Sequence, residues 1–330
     1  MRLPVYVTDM DFRCEYSLCY KPPISILRGI EVSMSRAISF LLLVAGIAFS
    51  GTVCLGQPTV WQSPTPSSTE AAKVLQAVCP YNAQSTGGGA LKSLPGCKPC
   101  PVFTTDAGMA NGEMFDLESV IYGSFTAPGI EEAVASFNGC EPHTSLFGGS
   151  ILLRKIGNSW SMMRFLRALI TKACRTYRLQ SGRALLVCEQ EDGHAEESEQ
   201  WISVVDLSKE EPRLSVTVFS VLSTAMACGP TAVGGTIESA TLTDLNGDGM
   251  PDLRLGVSVG QGTFPQDGGS CFAEGSEWRV QKYKLDFLFQ PDTLSFLPAP
   301  SSRATLDKLN ALFKNAEQKA TEITIRRLHH

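Results

Sequence analysis

Residues 241–257 read TLTDLNGDGMPDLRLGV, and what this stretch does decides how the rest of the chain is interpreted. Its centre is a D-x-N-x-D-G-x-x-D pattern: Asp244, Asn246, Asp248, Gly249 and Asp252. Oxygen side chains at alternate positions, followed by a glycine, suit a loop that wraps a hard cation. Ca2+ takes about six to eight oxygens, and the glycine allows the sharp turn that brings the next carbonyl inward. The candidate ligands are the side chains of Asp244, Asn246, Asp248 and Asp252, with the main-chain carbonyl of Met250. An EF-hand would carry a bidentate Glu at the twelfth loop position; that position is Leu255 here, so Asp252 supplies the last carboxylate. Pro251 opposes helix at Met250. Leu253 to Val257 then alternate apolar and polar, which predicts a strand. The competing reading is a polar turn, since Asn, Asp and Gly are turn formers; four spaced oxygen side chains favour the ion.

Upstream, the chain is strand-like from Asp116 onward and repeats itself loosely. Residues 123–137 (GSFTAPGIEEAVASF) show a strand, a Pro/Gly turn, paired acids and another strand. Thr126, Ala127 and Pro128 stand where the metal oxygens would be, so this copy holds no Ca2+. Residues 179–189 (LQSGRALLVCE) form a shorter version. The strand starts Glu132, Arg183 and Asp252 are spaced in the range of propeller blades. Further alternating segments, 149–155, 201–207 and 212–220, lie between them. Residues 158–177 have apolar positions that also suit a helix; the repeat predicts strands.

A metal loop running straight into a strand resembles the FG-GAP or VCBS type of repeat, through Asp244, Asn246, Gly247, Asp248, Gly249, Asp252 and Leu253. That resemblance implies a β-propeller whose blades carry Ca2+ in a strand-connecting loop. The full motif occurs once. GSFTAPG (123–129), GCEPH (139–143), FGGSILLR (147–154) and RALLVCE (183–189) are similar to a group of exported bacterial proteins; that likeness implies export and brings no activity with it. The expected fold is therefore mainly β with propeller-like repeats, an open β-sandwich being the alternative.

Composition bounds the setting. The chain has 330 residues and a formal net charge of −5. Residues 38–49 (ISFLLLVAGIAF) follow Met34 and Arg36, the layout of a secretory signal spanning about 34–56. The apolar run is shorter than the ~20 residues of a spanning helix, so no stable membrane span is expected in the mature chain. Without residues 1–56 the net charge becomes −6, which disfavours nucleic acid as a partner. Eight cysteines then remain, an even number in an exported chain, which points to disulfides. Cys174 and Cys188 lie equally far from Ser181 in Gln180-Ser181-Gly182; a hairpin turn there places them opposite each other. A Cys228–Cys271 bridge would clasp the segment holding the loop. Cys97-Lys98-Pro99-Cys100 is Pro-flanked and lacks the βαβ setting of a redox pair, so it reads as structural.

Four segments follow: 1–56 upstream and signal, 57–110 linker, short helix and Cys-rich loop, 111–300 β repeats, 301–330 terminal helix. The linker 57–69 is rich in Pro, Ser and Thr and need not pack. Ser67 and Glu70 have capping-box spacing before a short helix. Leu306, Leu309, Phe313, Ala316, Ala320 and Ile323 follow helical spacing at the other end, suited to covering a sheet face or edge.

Catalytic patterns are sparse. There is no H-E-x-x-H and no G-x-S-x-G. Cys140, Glu141 and His143 read as a disulfide and turn, and His194 as part of an acidic loop. Glu131 and Glu132 are strand neighbours and so point to opposite faces, poor geometry for joint acid–base work. Residues 154–183 hold eight basic side chains and no acid, beside an acidic 189–211; a solvated face opposite its acidic neighbour outweighs an anion-binding strip. The function expected is a secreted, calcium-stabilised binding or adhesion module with Ca2+ as cofactor and a carbohydrate or protein ligand. The alternatives are a secreted hydrolase using carboxylates and a structural envelope protein.

Overall fold

Alternating faces and short turns sort the strands into two antiparallel meanders. The computed structural model describes residues 61–79, 96–97, 115–138, 149–167, 169–194, 197–210, 215–224, 232–263 and 277–328. Helix α1 spans Ser68–Val78. The strands are β1 (Gly96–Cys97), β2 (Phe115–Gly123), β3 (Glu132–Asn138), β4 (Gly149–Ile156), β5 (Ser159–Arg167), β6 (Cys174–Arg178), β7 (Ala184–His194), β8 (Glu197–Val205), β9 (Ser215–Ser223), β10 (Ala232–Thr243), β11 (Asp252–Thr263), β12 (Glu277–Gln290) and β13 (Ser295–Pro298), and helix α2 (Arg303–Leu328) closes the order. Strands β1 to β5 form a five-stranded sheet and β6 to β13 an eight-stranded sheet, each in chain order. The chain is thus mainly β with the two helices expected at its ends. The described strands do not form the ring of four or more blades that a propeller needs, because each sheet simply continues from hairpin to hairpin. Two sheets are compatible with the open-sandwich alternative.

Period-two side-chain alternation gives each strand two assignments. On β7, Leu185 and Val187 join Ile202, Val204, Leu255 and Phe287 in the core enclosed by the large sheet. Ala184, Leu186 and Cys188 face the other way, against Ile121, Val134 and Leu152 of the small sheet. The far face of the small sheet, with Ala133, Ala135, Ile151 and Leu153, is covered by Ala71, Val74, Leu75 and Val78 of α1. That helix starts where expected: Ser67 caps it and Glu70 returns a bond to the Ser67 N–H at 2.9 Å. Within segment 158–177, β5 and β6 are strands and no described residue is helical. Trp160 and Met162, two apart, both pack toward α1. Leu309, Phe313 and Ala316 of α2 enter the large-sheet core. Gly235 is required beneath that helix, since a Cβ there would lie 2.6 Å from the Val221 Cβ and 3.0 Å from the Phe313 ring.

The linker expectation fails at its centre. Trp61 is 5% exposed and Ser63 is 7% exposed. The Trp61 Nε1–H donates to the Ala240 carbonyl at 2.9 Å, and Ser63 Oγ donates to the Thr171 carbonyl at 2.6 Å. A large aromatic gains more by burial than a Pro/Ser-rich composition suggests. Among the described residues no helix is long and apolar enough to cross a membrane.

Candidate metal centre

The predicted loop is residues 244–251, joining β10 to β11, whose terminal residues Thr243 and Asp252 are register partners. Its polar side chains are folded onto its own backbone. Asp244 Oδ1 accepts from Gly247 N–H at 2.7 Å, and Oδ2 from Gly249 N–H at 2.9 Å. Asn246 Oδ1 accepts from Asp248 N–H at 2.9 Å, and Asp248 Oδ1 from Met250 N–H at 2.8 Å. Asn246 Nδ2 donates to Asp248 Oδ2 at 2.8 Å. Gly247 (φ 80°) and Gly249 (φ 81°) supply the left-handed turns. The Gly249 and Gly247 amides hold the exposed Asp244 carboxyl below the usual carboxylate range.

Asp252 is arranged differently from the other three. It is fully buried. Its Oδ2 accepts from Leu245 N–H at 2.9 Å and its Oδ1 from Phe289 N–H on β12 at 2.8 Å, so it fastens the loop to the sheet. Met250 is also buried, and Gln180 Nε2, from the β6–β7 turn, donates to its Sδ at 3.6 Å.

The β2–β3 hairpin has the same construction. Residues 124–131 separate register partners Gly123 and Glu132, so both loops have eight residues and each is followed by a buried acid. Glu132 Oε2 accepts from Phe125 N–H at 2.8 Å, the counterpart of Asp252 with Leu245. Gly129 (φ 74°) sits where Gly249 does. Both hairpins break register at the same place, between Leu117 and Ser119 in one and between Ile237 and Ser239 in the other. Leu117-Glu118-Ser119 and Ile237-Glu238-Ser239 therefore correspond, which sequence comparison of the loops alone missed. The signal was in the chain: L-E-S and I-E-S stand at one common distance before the two buried acids. The N-terminal strap touches equivalent bulge residues, accepting from Val120 N–H at the Pro64 carbonyl (3.2 Å) and donating from Trp61 to Ala240.

The two hairpins differ in charge. In the first, Arg154 Nη2 lies 2.8 Å from Glu132 Oε1 and 2.9 Å from Thr126 Oγ1, and Lys155 pairs with Glu131 at 2.6 Å. Burial pushes the Glu132 carboxyl up, but Thr126, Arg154 and the Phe125 N–H together hold it below its ordinary value. In the second, continuing the β11–β12 register places Leu288 opposite Asp252. Among the described residues no ion pair involves Asp244, Asp248 or Asp252. Ser124, Thr126 and Pro128 of the first loop correspond to Asp244, Asn246 and Asp248 of the second.

The residues fit a hard cation in part. Asp244, Asn246 and Asp248 sit together on an exposed loop, and a carboxylate oxygen that accepts one N–H keeps a further lone pair. Asp252 is turned inward, and among the described residues no three His, Cys, Asp or Glu side chains converge as a metal-binding group. The loop would hold Ca2+ through the Asp244, Asn246 and Asp248 oxygens and the Met250 carbonyl, with Asp252 on the inner side. No family model, no curated protein and no solved structure matches this chain.

Elsewhere the expectations divide. Cys174 and Cys188 are register partners and form a disulfide, as the turn spacing predicted. Cys79 is also disulfide-bonded. Cys140, Glu141 and His143, and the Cys228–Cys271 pair, lie outside the described residues, as do the Cys97 and His194 side chains. Glu131 and Glu132 diverge as strand neighbours should, one exposed and one buried. Four of the eight basic residues of the strip are paired with acids among the described residues. Besides Arg154 and Lys155, Arg164 reaches Glu210 at 3.1 Å, and Arg183 pairs with Asp206 while also donating to the Phe125 carbonyl at 3.2 Å.

Proposed function

We propose that the chain is an exported, calcium-stabilised β-repeat protein of FG-GAP-like character, acting as a non-enzymatic binding or adhesion module. One observation carries the calcium reading. Two hairpins share loop length, bulge position and buried acid, yet one has a cation opposite its acid on the next strand and the other has a leucine there and three exposed oxygen side chains in its loop. A buried carboxylate without a countercharge is costly. An ion at the second loop supplies what Arg154 supplies at the first. The disulfide is consistent with an oxidising compartment.

A binding surface is favoured over a hydrolase by where the carboxylates are committed. Glu132, Asp206 and Asp286 each bond a guanidinium, and Asp252 bonds two amides. On the α1 side of the small sheet, Tyr122 is 41% exposed and its ring packs on Trp160 with centroids 5.7 Å apart. Such an aromatic pair suits a carbohydrate or protein ligand.

The test is a thermal melt of the full chain with Ca2+ and with chelator. At a hundredfold excess over Kd the ion should add about 2.7 kcal/mol, and Asp248→Ala should abolish that increment. Equal melting temperatures for the parent protein under both conditions would remove the calcium reading.

A further inference from the structure

Asn246 and Gly247 are consecutive exposed residues of the β10–β11 loop. An asparagine followed by a glycine carries its own nucleophile. The Gly247 main-chain nitrogen and the Asn246 side-chain carbonyl carbon are joined through the Asn246 backbone, so attack of one on the other closes a five-membered ring. Glycine has no Cβ to shield that nitrogen. Gly247 adopts φ 80°, and a Cβ added there would meet nothing within 4 Å, so the approach is open. The Asn246 side chain is turned along the chain: its Oδ1 accepts from Asp248 N–H at 2.9 Å, which carries the carboxamide over the intervening amide. Both reacting groups are also held. Gly247 N–H donates to Asp244 Oδ1 at 2.7 Å, and Asn246 Nδ2 donates to Asp248 Oδ2 at 2.8 Å.

We propose that Asn246 is a self-modification site, converting to aspartate and isoaspartate, and that Asp244 is the positioning residue that restrains it by holding the Gly247 N–H. Asparagine is a thermolabile residue. The Gly247 nitrogen gives its proton to solvent hydroxide and bonds to the Asn246 side-chain carbonyl carbon. The bond from that carbon to Nδ2 breaks and ammonia leaves, giving a succinimide. Water then opens the ring. Addition at the side-chain carbonyl restores the ordinary main chain with an aspartate; addition at the main-chain carbonyl leaves an isoaspartate, with the chain routed through the side chain. One water is consumed, one ammonia is released, and nothing is oxidised. Either product loses the Nδ2–H donor to Asp248 and adds a negative charge beside it, and the isoaspartate also lengthens the loop by one methylene. The change runs one way and needs no enzyme.

The experiment incubates the full chain in chelator at mildly alkaline pH, which keeps its outcome independent of the calcium reading. The peptide containing residue 246 is followed by mass spectrometry and by chromatography that separates the aspartate and isoaspartate forms. The parent protein should accumulate both. Asn246→Gln would have to close a larger ring and should keep its amide. Asp244→Ala should convert about tenfold faster than the parent, the worth of one hydrogen bond to a charged acceptor. Gly249→Ala strains the same loop but keeps the bond from Gly247 to Asp244, so it should accelerate conversion less than Asp244→Ala does. An amide retained at Asn246 in the folded parent, under conditions that convert it in urea, overturns the modification site. Equal rates in the parent and Asp244→Ala, or in Asp244→Ala and Gly249→Ala, overturn the restraint.

Discussion

The β2–β3 and β10–β11 hairpins solve one problem in two ways. Each must turn through eight residues and seat a buried acid at the start of its second strand. That acid gathers loop amides, which would otherwise be unsatisfied as the backbone leaves the ladder. At the first hairpin the charge is balanced by Arg154 on the neighbouring strand β4, across the β3–β4 pair. The second has Leu288 at that place and an oxygen-rich loop instead. A shared backbone therefore does not fix a shared electrostatic solution. The side chain one strand away decides whether a turn is self-contained or open to a ligand.

Removing the internal cation is the severest way to break the comparison. Arg154→Met leaves Glu132 buried with only its hydrogen bonds to Thr126 and Phe125. Breaking a fully buried pair costs about 3–5 kcal/mol; with the Arg154 side chain 31% exposed, about 2–3 kcal/mol is expected. The pH dependence gives the sign. The folded carboxyl lies below its ordinary value of 4.5, so its contribution is present above that pH and is lost as pH falls through the folded value. Urea unfolding should separate the two proteins at neutral pH, and the gap should narrow as pH falls through the folded value. A constant difference across that range would mean that Arg154 acts by packing alone.

The reverse exchange sharpens the same point with a smaller effect. Leu288→Arg puts a guanidinium opposite Asp252, as Arg154 stands opposite Glu132. Its melting temperature should be the same with Ca2+ and with chelator, and about 1 kcal/mol above the parent protein in chelator. A variant that keeps the full Ca2+ response would show that the second loop needs its ion for more than neutralising Asp252.

Much of this was legible beforehand, for local reasons. The acidic turn, the capping box at Ser67 and Glu70, and the C-terminal apolar stripe each depend on residues a few positions apart. The Cys174–Cys188 bridge followed from symmetry about a single turn. The sheet order did not follow, because alternation assigns faces and is silent on which strand lies alongside. Blade spacing counted from Glu132, Arg183 and Asp252 mixed two true equivalents with a third turn. The β6–β7 turn is shorter and is stapled by a disulfide, with Arg183 directed to Asp206. Arg154 escaped notice because a basic run reads as a solvated face until one member is found opposite a buried acid. Trp61 was hidden by the Pro/Ser-rich stretch around it, although its indole ends on the bulge of the second hairpin.

The mildest test asks whether the two turns match as backbones, apart from charge. Gly129 and Gly249 both adopt left-handed conformations, φ 74° and 81°, and an added Cβ at either would meet nothing within 4 Å. Any cost of Gly129→Ala or Gly249→Ala is therefore conformational and not steric crowding. It should be about 1–2 kcal/mol and equal at the two sites when both are measured in chelator. With Ca2+ present, Gly129→Ala should keep its cost, because its loop is neutralised by Arg154. Gly249→Ala should cost more, because the same strain then also misaligns the Met250 carbonyl and the Asp248 side chain around the ion. Equal costs in both conditions would separate the turn's shape from ion binding and leave Arg154 and Leu288 as the whole difference between the hairpins.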